Sequence, residues 1–184
     1  SMIVSKTAGA VDRPTRGPYR TQWVALRSPG LQAFEFDLTK QGRRRNLQHA
    51  SVLRELKALI NHPMCKGVWF GFPCGTFSSA RRNDGGPPPL RGTNSKDIYG
   101  LPGLSGKELA RVRAANALIM RMHELMKTCE SSGVPWYLEN PHCSKLWMHP
   151  IIKKWVQHPA TQKVEFDYCQ FGEDWKKSTT ILVF

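Results

Sequence analysis

A chain of 184 residues, 40% hydrophobic and 22% charged, suits one domain with a full hydrophobic core, and it excludes a disordered tail or a membrane bundle. Lys and Arg number 27 against 14 Asp and Glu, leaving a formal charge of +13. That excess predicts a polyanionic partner, nucleic acid first, because each phosphate neutralised by Lys or Arg releases condensed counterions. No stretch approaches the roughly 20 apolar residues of a membrane span, and no apolar secretory core is seen near the amino terminus, so no membrane partner is expected. An intracellular protein is expected, in nucleus or cytoplasm or as a viral or mobile-element product in a host cell. Five cysteines, an odd number without paired short spacings, suit reduced thiols.

Residues 1–20, rich in Gly, Pro, Arg and Thr, read as an irregular arm, and 21–184 as a single domain. A short helix is predicted over Gln22–Arg27 and a strand over Leu31–Phe36. Val52, Leu53, Leu56, Leu59 and Ile60 recur at helical spacing and predict an amphipathic helix over 50–61. Gly67–Phe72 is a continuous apolar run, the pattern of a strand buried on both faces of a parallel sheet. Residues 79–105, with Arg81, Arg82, three consecutive prolines, Arg91 and Lys96, form a long basic loop of functional length, expected to be mobile. Ser105 and Glu108 have the spacing of a capping box and open a helix buried along Leu109, Val112, Ala115, Ile119, Met122, Met126 and Cys129, ended by Gly133. Strands follow at Trp136–Leu138, at 163–168 and at 179–184. Strands alternating with helices predict an open, mostly parallel α/β sheet, whose ligands bind at the carboxyl ends of its strands.

Two short sequences fall at such ends: Pro73-Cys74 and Glu139-Asn140-Pro141. A thiol on a tight turn becomes a nucleophile when cations or helix amides lower its pKa, and Arg81 and Arg82 are candidate cations. A carboxylic acid 65 positions later would supply the hydrogen-bond partner of a covalent mechanism. Taken singly, Cys74 is as readily a small buried residue and Glu139 an ordinary cap.

Taken together, the stretch Phe70-Gly71-Phe72-Pro73-Cys74-Gly75-Thr76-Phe77-Ser78 resembles the nucleophile motif of the DNA cytosine-5 methyltransferase family, and Leu138-Glu139-Asn140-Pro141 its Glu-Asn motif. Phe34-Glu35-Phe36-Asp37 is similar to the family's acidic strand end, and Phe171–Thr179 with Ile181–Phe184 to its basic motif and following strand. The resemblance spans residue 20 to the end. It implies a Rossmann-like methyltransferase fold, in which Cys74 attacks carbon 6 of a flipped cytosine, Glu139 binds ring nitrogen 3 and Asn140 places the loop. It implies S-adenosylmethionine as cofactor, held by Glu35, Phe36, Pro73 and a glycine-rich turn near Gly17. It implies DNA more than RNA as partner, with Ser78, Arg81, Arg82, Arg91, Lys176 and Lys177 as the nucleic-acid contacts, since flipping enzymes must compensate lost stacking.

The chain departs from the pattern in four places. One glycine, Gly17, remains in the turn; Asn46 or His49 stands where an acid meets adenine; Trp175 and Thr179 replace the usual Gln and Arg; and the family's target-recognition region and closing helix are missing after Phe184. A catalytically inactive nucleic-acid-binding domain derived from the same fold is therefore the alternative. No metal is expected, because Cys65, His142, Cys143 and Cys169 form no ligand-pair repeat. A Cys-His hydrolase would draw its base from His142 or His149. Trp147, Trp155 and Trp175 read as packing residues first and base-stacking platforms second.

Overall fold

The computed structural model describes residues 2–7, 31–36 and 46–184, with backbone only for 2–7, Leu31, Gln32 and Glu35. Six strands, β1 (Met2–Thr7), β2 (Leu31–Phe36), β3 (Cys65–Gly71), β4 (Trp136–Pro141), β5 (Gln162–Asp167) and β6 (Ser178–Val183), form one open sheet in the order β2-β1-β3-β4-β6-β5. Among the described residues three α-helices accompany it: α1 (Ala50–Ile60), α2 (Gly106–Ser131) and α3 (Pro150–Val156). The fold is α/β.

The sheet is mixed, which corrects the expectation of a mostly parallel one: β3 and β4 pair in parallel, whereas β1–β2, β1–β3, β4–β6 and β5–β6 are antiparallel. A parallel pair needs a long crossover, and α2 provides it between β3 and β4. The last two strands are joined instead by a ten-residue hairpin connection, which forces them antiparallel. Met2–Thr7 is a second correction. This segment of the expected irregular arm is a strand between β2 and β3; its Met-Ile-Val run is too short to stand out in a Gly-, Pro- and Arg-rich stretch. The predicted helix at 22–27 lies outside the described residues.

The predicted apolar faces meet in one core. Val52, Leu53, Leu56 and Ile60 of α1 and Ala115, Ile119, Met122, Met126 and Cys129 of α2 are buried with Val68 and Phe70 of β3 and Trp136 and Leu138 of β4, while Val112 is buried outside this cluster. α1 packs on α2 and β3. Ser105 takes the extended N-cap conformation at α2, but its side chain makes no capping hydrogen bond, and Glu108 lies 4.0 Å from Arg81 instead. Gly133, just past α2, adopts φ +63°, the left-handed conformation that suits glycine. α3, missed in the sequence, begins with Pro150 behind an N-cap, His149, whose Nδ1 accepts from the Ile151 amide at 3.4 Å.

Candidate active site

The register brings the two motifs together. Gly71 pairs with Glu139 across the parallel β3–β4 ladder, so Pro73-Cys74 leaves the sheet beside the end of β4. Asn140, fully buried, locks this junction by donating through Nδ2 to the Phe72 carbonyl at 2.8 Å. Cys74 sits in a tight turn, with the Phe77 amide donating to its carbonyl at 2.9 Å. Thr76 and Phe77 are buried while Cys74 is exposed. The Lys145 amide, in the segment that follows β4, donates to the Phe77 carbonyl at 2.9 Å. The thiol is thus presented outward by a turn pinned on its far side to the core.

Glu139 is 6% exposed, and Lys177 Nζ approaches its Oε1 at 3.2 Å while lying 4.9 Å from the centre of the Tyr168 ring. Lys177 was expected to contact phosphate; here it is the counter-ion of Glu139, because the start of β6 lies alongside the end of β4. Lys176 does face outward, 72% exposed, in a loose pair with Asp167.

The basic loop divides. Arg82 is exposed and Ser78 half-buried, both at the mouth of the cysteine turn. Arg81 bonds the Gly75 and Pro88 carbonyls at 3.1 and 2.7 Å, bracing the backbone next to Cys74. Arg91 corrects the expectation of a phosphate contact. It is 1% exposed, it donates to Thr76 Oγ1, the Ile98 and Val112 carbonyls and Asn116 Oδ1, and its guanidinium lies 3.8 Å from the centre of the Phe77 ring. Burial pushes this guanidinium down to about 10. A charge sealed among internal acceptors fastens the loop to α2 and to the cysteine turn, so this part of the expected mobile loop is anchored. α2 also brings a cation that sequence reasoning missed: a Cβ at Gly75 would lie 3.5 Å from Arg111 Nη2. The residue looks like one more exposed charge on a helix, and only the packing reveals its neighbour.

The expected cofactor residues are less complete. Gly17 and the side chain of Glu35 lie outside the described residues. The end of β2 reaches the rim of the sheet that carries Cys74, since Phe36 pairs with Met2 and Met2 with Phe70. The Phe36 ring is buried in the core. Pro73 is exposed.

Both histidines named as candidate bases are engaged with other groups. His149 is buried between the Phe77 and Tyr99 rings, and burial with the Arg91 charge pushes it down to about 4. His142 is turned to Glu165, 3.1 Å away, and Thr180. Comparison with protein-family models, curated proteins and solved structures finds no match to this chain.

Proposed function

We propose that the chain is a DNA cytosine-5 methyltransferase-like domain in which Cys74 and Glu139 act together on a cytosine. The observation that carries this reading is that the turn bearing the exposed Cys74 leaves β3 next to the end of β4 that bears the buried Glu139, both at the carboxyl ends of two adjacent parallel strands, fixed by the Gly71–Glu139 register and the Asn140–Phe72 tie. In this chemistry the Cys74 thiolate bonds to carbon 6 of a base withdrawn from the duplex. The ring electrons move toward carbon 5 as nitrogen 3 takes a proton from the Glu139 carboxyl group, which must enter the step in its acid form; Lys177 then pairs with the carboxylate left behind, and the proton returns to Glu139 when the adduct breaks down. Carbon 5 gains the methyl group, a base takes its proton, and the sulfur–carbon bond breaks to restore the thiolate. S-adenosylmethionine is the proposed methyl source; the steps carried by the described residues are those on the cytosine side.

A second reading, a silent nucleic-acid-binding domain, is favoured by the burial of Phe36 in the core. Calorimetry with S-adenosylmethionine, followed by trapping on DNA containing 5-fluorocytosine, separates the two. The enzyme reading expects heat of binding and a covalent adduct that Cys74→Ser abolishes. Absence of both heat and adduct, with salt-sensitive DNA binding retained, leaves the binding domain.

A further inference from the structure

The connection between β5 and β6, residues 168–177, stands at the same rim as Cys74 and Glu139. β6 runs antiparallel to β4 with Thr179 opposite Pro141, and the His142 amide donates to the Ser178 carbonyl at 3.0 Å, so the segment before Ser178 must emerge where β4 ends. Lys177 closes it from below through Glu139 and Tyr168.

This segment carries the exposed rings of that rim. Phe171 is 73% and Trp175 53% exposed. Of the tryptophans singled out in the sequence, Trp155 is buried and Trp147 is half-buried with its Nε1 donating to the Pro141 carbonyl, which leaves Trp175 facing outward. The segment is also braced. Tyr168–Phe171 forms a 3-10 turn ended by Gly172 at φ +85°, the Tyr168 amide donates to the Lys177 carbonyl at 3.2 Å, and Phe171 packs edge-on against Phe166 with ring centres 5.2 Å apart. A ring held in place before binding, as Phe171 is, loses less conformational freedom when a ligand arrives.

We propose that Phe171 and Trp175 form a stacking platform for unpaired bases of a DNA strand, alongside the Cys74–Glu139 site. The proposal deepens the DNA reading above by naming the form of DNA the rim takes. Every base has a π-face, whereas paired bases hide theirs in the helix, so exposed rings on a basic protein favour a single strand. Within the segment Lys176 and Lys177 are already paired with Asp167 and Glu139, so Glu173 and Asp174 are not offset and the segment offers no attraction to phosphate of its own. Its contribution is therefore stacking, while counterion release comes from the rest of a chain whose formal charge is +13.

The test is titration of the full chain with a fluorescein-labelled thymidine oligomer and with a duplex across a range of salt, without S-adenosylmethionine. Trp175→Ala and Phe171→Ala should each weaken binding to the single strand about fivefold or more. The slope of log affinity against log salt should be unchanged, the duplex little affected, and Trp175→Phe should recover most of the loss. Circular dichroism of each variant excludes unfolding as the cause. Unchanged affinity in Trp175→Ala, an equal loss for the duplex, or a loss that appears only as a shallower salt slope would overturn the platform. So would loss of self-association in Trp175→Ala with strand binding intact, which would assign the rings to a protein contact. Reading the 5-fluorocytosine adduct in the chain with Cys74 intact separates this proposal from the catalytic one: Trp175-dependent strand binding without an adduct removes only the enzyme, and an adduct with Trp175-independent binding removes only the platform.

Discussion

Replacing Arg91 by Met puts a number on the anchor beneath the cysteine turn. The substitution keeps an unbranched side chain of similar length and removes the charge and every donor. Two acceptors then lose close partners, the Ile98 carbonyl at 2.6 Å and Asn116 Oδ1 at 2.7 Å. Each costs about 1–3 kcal/mol when left buried and unpaired. The contact with the Phe77 ring adds about 2 kcal/mol for a desolvated cation. Against this, the buried guanidinium is itself unfavourable: its fall to about 10 corresponds to roughly 3 kcal/mol at about 1.4 kcal/mol per tenfold change in proton affinity, and Met recovers that. The net expectation is a loss of about 1–5 kcal/mol, a large fraction of the stability of an ordinary domain. Urea denaturation followed by circular dichroism measures it, and limited proteolysis should show faster cleavage within residues 79–105. A variant as stable as the parent, with its loop equally protected, would mean that desolvation outweighs the hydrogen bonds and that Arg91 is not the strut described here.

His149 gives a pH dependence. Its native value of about 4 lies below the roughly 6.5 of an unfolded imidazole, so below 6.5 the unfolded chain binds a proton that the folded one refuses. Stability should therefore fall by roughly 3 kcal/mol as pH drops from about 6.5 to 4, and urea midpoints for His149→Gln should follow a flatter profile over that window; parallel profiles would contradict the assignment. Gly100 combines φ +138° with a Cβ position 2.9 Å from Val112 Cγ1. Gly100→Ala should cost roughly 2–4 kcal/mol from backbone strain and overlap together, read as a drop of about 5–10 °C in thermal midpoint, and an unchanged midpoint would show that the 90–101 segment yields freely.

What the sequence determined by itself was local. Apolar runs and helical spacing marked α1, α2 and β2–β6 to within a few residues, because burial demands one periodicity per element and Gly or Pro stops it. The positions of Cys74 and Glu139 at strand ends were legible for the same reason. Only the tertiary structure decided which strands are neighbours and in which direction they run, since pairing joins segments far apart in the chain and carries no local signature; β1, taken for an arm, and the single parallel pairing among those described both follow from that. It also decided the fate of each charge. Arg82 and Arg91 look alike in the sequence, yet one meets water and the other is sealed against Phe77 and four internal acceptors. Lys176 and Lys177 are adjacent, yet one faces solvent and the other serves Glu139. A charged side chain's role is set by what surrounds it, and those surroundings come from elements that the sequence lists far apart.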